Sequence, residues 1–365
     1  MNRKVALLLS GGVDSSVALH LLMEQGVRPD LFYIRIGADE EGFTDCPSED
    51  DEILVRWLAR KYDLHLELVS LHQEYWDYVV RYMIDTVKAG RTPHPDMLCN
   101  RVIKFGFFND YWGKEYDHIA TGHYADKEIV NGTHYLATAA DPLKDQTDFL
   151  AQITYPQLQK ALFPLGKLTK DEVRAIAEGS GLLTAHRRDS QGICFLGKVN
   201  YNDFLRKYVG VKKGPIIELD SGKQIGEHDG YWFHTIGQRK GLGLSGGPWF
   251  VVKKDVPSNT LYVSQGYQPI EQYGDVILLD ELNFISGNPM TGDKLPVTFK
   301  VRHTPEFTAG LLEQISDREY RLISQDLIQG VAPGQFCTLY DADHHICYGS
   351  GVIERGERLL HNSLE

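Results

Sequence analysis

The sequence predicts an α/β fold: an N-terminal doubly wound parallel sheet over residues 1–205, a small central domain over 206–275 and a C-terminal β-barrel over 276–365. Three observations lead there. The first third of the chain alternates short apolar runs with segments of helical periodicity, the pattern of a parallel sheet covered by helices on both faces. From about residue 275 onward the chain reads as short strands separated by Gly and Asp turns, which suits a small closed barrel. Finally, 365 residues are too many for one ordinary core.

Taken in order, Val5 to Ser10, Asp30 to Ile36, His65 to Ser70 and His118 to Thr121 are the expected buried strands. Ser15 to Gln25, Asp51 to Tyr62, Leu71 to Ala89 and Asn100 to Lys114 carry helical spacing between them. Asn131-Gly132, set between alternating runs, predicts a hairpin turn and reads as an embellishment on the sheet. Thr169 and Glu172 form a capping box for a helix ending near Gly179 to Gly181. Past about residue 205 Gly, Pro and short mixed segments dominate. The barrel strands are expected at Asp275 to Leu278, Leu295 to Val301, Glu319 to Leu322, Phe336 to Tyr340 and His345 to Ile353.

Composition narrows the function classes. Hydrophobic residues make up 42% and no low-complexity tract interrupts them, so the chain is expected to fold throughout. No apolar run approaches a membrane span, and Met1-Asn2-Arg3-Lys4 carries no signal-peptide pattern, so a cytoplasmic protein with no membrane partner is expected. Five cysteines, Cys46, Cys99, Cys194, Cys337 and Cys347, are scattered without a C-x-x-C pair, which argues for thiols rather than a disulfide scaffold or a structural zinc, and no metal site is expected. A net charge of −12 argues against nonspecific coating of nucleic acid while leaving local basic patches open.

Three motifs carry chemistry. Ser10-Gly11-Gly12-Val13-Asp14-Ser15-Ser16 follows an apolar strand and opens a helix, so backbone N–H groups and the helix dipole converge on an anion. It lacks the lysine of a Walker loop, and the short serine-rich version resembles the pyrophosphate loop of enzymes that split ATP between its α and β phosphates. In such sheets ligands sit at the carboxyl ends of the strands, where Thr121-Gly122-His123-Tyr124 also lies. The second motif runs from Arg91 to Arg101. Two prolines stiffen a loop, Cys99 stands where Asn100 is expected to begin a helix whose N–H groups would favour the thiolate, and Asp96 is placed to shuttle a proton. Taken alone, a cysteine there is more often a small buried residue, and Asp96 a helix cap. The third motif, Arg187 to Gly197, places Cys194 beside two arginines that would stabilise a thiolate or persulfide. Two other matches are false positives. Gly192 to Lys198 ends on Val199 with no strand before it, and Gly241, Gly243 and Gly246 sit outside any βαβ unit.

Together these motifs resemble the tRNA-specific 2-thiouridylases, the MnmA family. The resemblance covers nearly the whole chain, adding Lys144-Asp145-Gln146, Phe163-Pro164-Leu165-Gly166, Gly226-Glu227-His228, Thr235 to Gly243 and Pro333-Gly334-Gln335 in the family's order. It implies a pyrophosphate-loop catalytic domain of the adenine nucleotide α-hydrolase type, a small central domain and a C-terminal β-barrel. It also implies 2-thiolation of the wobble uridine in tRNAs decoding lysine, glutamine and glutamate. ATP with Mg²⁺ would adenylate the uracil C2 oxygen, bound by Leu8, Leu9, Ser10, Gly11, Gly12, Val13, Asp14 and Ser15 with Ile34 and Gly122. Cys194 would take sulfur as a persulfide from a cysteine desulfurase or sulfur-relay protein, Cys99 would act as nucleophile, and Asp96 would transfer protons. A Cys99–Cys194 disulfide would follow. By the same resemblance His94, Pro95, Asp96, Lys144, Asp145 and Gln146 would meet the target base and anticodon stem-loop, and Arg302 with His303 would contact tRNA from the barrel. A monomer is expected. Lys88, Arg91, Arg101, Lys104, Lys144, Arg187, Arg188, Arg239 and Lys240 form a candidate phosphate-contacting stripe.

The chain departs from the family pattern at His94 (usually Asn), Ile34 (Met), Leu54 (Asp), Asp148 (an aromatic) and His303 (Tyr), leaving every catalytic group in place. Cys46, Cys337 and Cys347 read as structural. The alternatives are a pyrophosphate-loop ligase that adenylates a small metabolite, which needs no paired cysteines, and an inactive ATP- or RNA-binding paralogue.

Overall fold

The computed structural model describes residues 3–36, 48–188, 200–266 and 273–357. The first part of the chain supplies β1 (Val5–Leu8), β2 (Asp30–Arg35), β3 (Leu66–Ser70), β4 (His118–Ala120), the hairpin strands β5 (Asp126–Val130) and β6 (Thr133–Ala137), and β7 (Ala161–Leu162). All but the hairpin form one parallel sheet in the order β3-β2-β1-β4-β7. The order reverses between β1 and β4. The loops leaving those two strands therefore flank the crevice where doubly wound sheets bind ligands.

Side-chain alternation explains why β1 is apolar at every position. Val5 and Leu7 face α1 (Val13–Glu24) and α2 (Ser48–Tyr62), packing with Val17, Leu19 and Val55, whereas Ala6 and Leu8 face the helices of residues 72–111 with Val79, Met83 and Ile103. Phe108, fully buried, meets Phe32 edge-on with ring centroids 4.9 Å apart. Truncating such a ring to alanine costs about 3–5 kcal/mol. The predicted capping box is formed: Thr169 Oγ1 accepts the Glu172 N–H, and α3 (Lys170–Gly179) follows.

Two expectations change. The helix expected from Asn100 begins at Pro95, with proline in the first turn and His94 Nδ1 accepting the Met97 N–H at 3.4 Å, and then runs as a π-helical stretch over Cys99–Phe107. The Asn131-Gly132 turn does make a hairpin, both residues having φ above zero, but the hairpin is no embellishment on the parallel sheet. Its β6 pairs with a barrel strand, through Ala137 with Ile346 and Leu136 with Cys347.

The central segment, read from sequence as mixed Gly and Pro stretches, forms a four-stranded sheet of β8 (Gly214–Glu218), β9 (Gln224–His228), β10 (Trp249–Asp255) and β11 (Thr260–Gln265), in the order β10-β11-β8-β9. The last part forms β12 (Tyr273–Phe284), β13 (Lys294–Lys300), β14 (Thr308–Gln314), β15 (Tyr320–Gln329), β16 (Phe336–Tyr340) and β17 (Ile346–Glu357). They pair as β12-β15-β14-β13-β16-β17, and β17 returns to β12, which closes the barrel. β14 was not expected. Its Gly310 interrupts the apolar run, yet glycine suits the site, because a Cβ there would stand 2.8 Å from the Ile323 carbonyl oxygen. Cys337 and Cys347 are buried on β16 and β17, as expected of structural cysteines; Cys46 lies outside the described residues.

Candidate active site

The loop after β1 is organised by its own hydroxyls. Ser15 Oγ accepts the Ser10 N–H at 3.2 Å and donates to the Gly12 carbonyl, while Ser16 Oγ also donates to that carbonyl at 2.8 Å. Gly11 takes φ +73°, a conformation side chains disfavour, and Gly12 enters α1 without any side-chain cap. The first turn of the helix is thus left open toward an anion. Gly122, after β4, closes the other wall. A Cβ at Gly122 would lie 2.7 Å from the Ser15 nitrogen, so only glycine lets the two loops approach this closely.

Asp14, in that first turn, is neutralised from a distance in sequence. Lys170 Nζ reaches its carboxylate oxygens at 2.7 and 2.9 Å, and Tyr124 Oη donates to Oδ1 at 2.8 Å. The sequence offered Lys170 only as a residue of a capped helix, with no sign of this pairing. Arg187 holds the loop from the opposite side: Nη1 donates to the Gly11 carbonyl at 2.8 Å and Nη2 pairs with Asp51. Burial raises the Asp51 pKa, with Arg187 opposing. The Asp14–Ser15 backbone thus lies against Gly122, while Leu8 packs on one face of the sheet and Leu9 and Val13 on the other. Ile34, on the adjacent β2, packs on the same face as Ala6 and Leu8.

Asp96 and Cys99 lie three residues apart on the Pro95 helix, which places carboxyl and thiol on one helical face. Cys99 is 2% exposed. Because the helix starts at Pro95 rather than Asn100, the Cys99 N–H already bonds back to the Asp96 and Pro95 carbonyls and is no free N-terminal donor. Nor is Asp96 the cap, since His94 fills that role. Asp96 Oδ1 is buried without a hydrogen-bond partner among the described residues, an acceptor held ready. Cys194 and the rest of its motif from Asp189 to Gly197 lie outside the described residues.

The barrel braces the loop that leads to this helix. Gln335 Nε2 donates to the Thr92 and Pro93 carbonyls at 3.2 and 2.7 Å, Thr92 N–H donates to the Pro333 carbonyl at 2.8 Å, and Arg91 makes a two-point pair with Glu354 at 2.9 and 2.7 Å. Gly334 permits the approach, for a Cβ there would meet the Thr92 oxygen at 2.9 Å.

The residues expected to meet RNA divide into two groups. His94 and Pro95 stand at the helix start, and burial lowers the His94 pKa, so the ring is held neutral. Asp145 is 4% exposed, accepts from Ala139 N–H and Thr147 Oγ1, and faces Lys300 Nζ at 3.7 Å, so its carboxylate serves as an internal counter-ion. Gln146 is likewise committed, exchanging hydrogen bonds with the Tyr124 backbone at 3.0 and 2.7 Å and fixing the loop after β4. Lys144 sits at the turn just before them. Arg302 and His303 diverge: Arg302 Nη2 donates to the Gly330 carbonyl at 2.8 Å, whereas His303 Nδ1 meets Asp148 at 3.0 Å. Several members of the basic stripe bind the protein itself, namely Arg91, Arg101 through Gln152, Lys104 through Asn100, and Arg187. Among the described residues no group of His, Cys, Asp and Glu is placed to hold a metal ion, and no helix is long and apolar enough to cross a membrane.

Comparison with known proteins covers the chain almost end to end. Residues 3–198 match the tRNA methyl transferase HUP domain family, 202–265 the tRNA methyl transferase PRC-barrel domain and 274–353 the aminomethyltransferase beta-barrel domain. The chain is 58% identical over 359 residues to the tRNA-specific 2-thiouridylase MnmA of Porphyromonas gingivalis, covering 96% of this chain and 99% of that protein. It is 58% identical over 354 residues to the protein of the same name from Parabacteroides distasonis, with 96% and 98% covered. It is 56% identical over 353 residues to MnmA 1 of Bacteroides thetaiotaomicron, with 96% and 99% covered. With matches of this length and identity joined to the loop, helix and barrel just described, the chain belongs to the tRNA-specific 2-thiouridylase family.

Proposed function

We propose that this protein is an ATP-dependent tRNA sulfurtransferase that replaces the C2 oxygen of the wobble uridine with sulfur. The observation that carries the reading is the placement of an uncapped, glycine-lined loop at the sheet's switch point in the same domain as the Asp96 and Cys99 helix, which the barrel braces. ATP, with Mg²⁺ on its phosphates, supplies activation of a carbonyl oxygen that is otherwise a poor leaving group. The Ser10–Ser15 backbone and the open turn of α1 hold the phosphates, while Lys170 keeps Asp14 from repelling them. Ile34 and Gly122 line the adenosine. His94, Pro95, Asp96 and Lys144 face the target nucleotide, and Asp96 Oδ1 accepts a proton there.

Cys194 carries sulfur as a persulfide received from a cysteine desulfurase or a sulfur-relay protein. Attack of the Cys99 thiolate on the Cys194 sulfur forms a Cys99–Cys194 disulfide and releases hydrosulfide, which takes the place of the activated oxygen at C2; an external thiol then reduces the disulfide. The protein acts as a monomer in the cytoplasm, on tRNAs decoding lysine, glutamine and glutamate.

The test is incubation with ATP, Mg²⁺, those tRNAs and a persulfide donor, followed by nucleoside mass spectrometry and measurement of AMP. The expected product is 2-thiouridine, made with stoichiometric AMP and lost in both Cys99→Ser and Cys194→Ser. AMP formation that persists in both variants without thiolated nucleoside would sink the proposal in favour of a small-metabolite ligase.

A further inference from the structure

Three parts of the chain meet around a cavity of about 280 Å³ that shares no lining residue with the phosphate loop or the Cys99 helix. Gly90, just past the helix Arg81–Lys88, forms one wall, Ile236 and Lys254 of the central segment another, and Val331, Pro333 and Arg355 of the barrel the third. The parts touch one another here. A Cβ on Gly90 would stand 2.3 Å from Val256 Cγ2, a Cβ on Gly237 would lie 3.4 Å from the Gly330 Cα, and Thr92 N–H donates to the Pro333 carbonyl at 2.8 Å.

The charged lining is cationic. Lys254 stands opposite Leu261 across β10 and β11, so its stem runs on the face that buries Leu261; Lys253 takes the other face, its Nζ 5.2 Å from the Tyr262 ring centroid. Lys254 Nζ has no hydrogen bond or ion pair among the described residues, and burial pulls its pKa down to about 8 with no carboxylate opposing the shift. Arg355 engages Glu357 through Nε alone among the described residues, which leaves its two terminal amino groups uncommitted. An ammonium held in protein without a counter-ion is unfavourable, and an anion in the cavity relieves it. The three N–H donors of an ammonium and the fork of a guanidinium suit the oxygens of a phosphate. At about 30 Å³ per water the cavity has room for about nine, enough for a phosphate and a second phosphoryl group or a short ester.

We propose that this junction cavity is a binding site for a small phosphate-bearing anion, held by Lys254 Nζ and the Arg355 guanidinium, and that its occupant ties the central segment and the barrel to the stretch running from Gly90 into the Cys99 helix. The site stands apart from the phosphate loop and does not depend on the reaction assigned to that loop. It adds a third tether to a stretch that Gln335 and Glu354 already hold from the barrel.

The experiment uses the full chain with α,β-methylene ATP present, so that the phosphate loop is filled, at constant ionic strength and about pH 8, near the Lys254 pKa. Acetylation by N-hydroxysuccinimidyl acetate is followed residue by residue by peptide mass spectrometry, with inorganic phosphate and then pyrophosphate as probes. Lys254 modification is expected to fall about tenfold at saturation, while that of exposed Lys213 stays constant. Arg355→Gln is expected to need about tenfold more of either probe, the worth of one charge-assisted hydrogen bond. Hydrogen exchange of residues 88–98 is expected to slow with pyrophosphate in wild type and Lys254→Arg and to stay unchanged in Lys254→Met. Arg355→Gln, at the exposed rim, keeps the test decisive if Lys254→Met does not fold. Equal Lys254 modification with and without both probes overturns the proposal. Protection by an anticodon stem-loop but by neither probe also overturns it, in favour of an RNA backbone contact. Protection without slower exchange overturns the tie to the Cys99 helix.

Discussion

Lys170 Nζ sits 2.7 and 2.9 Å from the carboxylate oxygens of Asp14, joining the first turn of α3 to the first turn of α1. The lysine side chain is 11% exposed and the carboxylate 31%, so removing the cation leaves a partly buried charge beside the phosphate loop. Lys170→Met is expected to lower stability by about 1–3 kcal/mol, read by urea denaturation, and to raise the KM for ATP at least about tenfold. An unchanged KM would show that Asp14 needs no neutralisation.

Gly122→Ala tests the approach of the two loops. The new Cβ would stand 2.7 Å from the Ser15 nitrogen and 3.0 Å from the Asp14 carbonyl carbon, both backbone atoms that cannot rotate away. AMP formation is expected to fall by about a hundredfold or more while tRNA binding persists, because the displaced atoms belong to the loop alone.

Gln335→Ala addresses the brace on the Cys99 helix. Its amide donates to two consecutive carbonyls on the Thr92-Pro93 loop, and losing both is expected to cost about 1–2 kcal/mol of stability. The larger effect is expected on kcat, with the KM for ATP unchanged, since the phosphate loop lies on other strands. Equal losses in both parameters would place the brace elsewhere.

Acid is expected to unfold the central domain first. His228 and His234 are 5% and 8% exposed with rings 5.8 Å apart, and burial holds the His234 pKa down to about 4. A histidine kept neutral in the fold binds fewer protons than in the unfolded chain, so stability falls as pH drops from the ordinary imidazole value toward the folded one. The loss approaches about 3 kcal/mol for His234, and His234→Gln is expected to flatten the pH dependence of the denaturation midpoint over that window. The His303–Asp148 pair has the opposite sign: its raised pKa contributes stability below the unfolded imidazole value that is lost as pH rises through the folded value.

The sequence made the local chemistry plain where a few adjacent residues dictate it. The Ser10 loop, the Thr169 cap and the Asn131-Gly132 turn depend on glycine conformations and short-range hydrogen bonds, and each is found where its residues predict. What depends on partners far along the chain was illegible. Nothing near Lys170 names Asp14, nothing near Arg187 names Gly11 and Asp51, and nothing in Lys144-Asp145-Gln146 tells that Asp145 turns inward to Lys300. The Cys99 helix starts earlier than the sequence suggests because a histidine at position 94 serves as cap and Pro95 opens the first turn, whereas Asp96 was the cap that the residue types offered and Asn100 the expected start. Three departures from the family pattern, His94, Asp148 and His303, looked independent along the chain. In the fold they meet around Phe149.

The ladder between β6 and β17 makes the catalytic and barrel halves one continuous piece of hydrogen-bonded fabric. A chain cut before the barrel would present the naked edge of β6 to solvent, an invitation to pair with a neighbour's edge. The barrel is therefore no detachable module, and a shortened protein is expected to aggregate before it can be asked whether it still binds ATP.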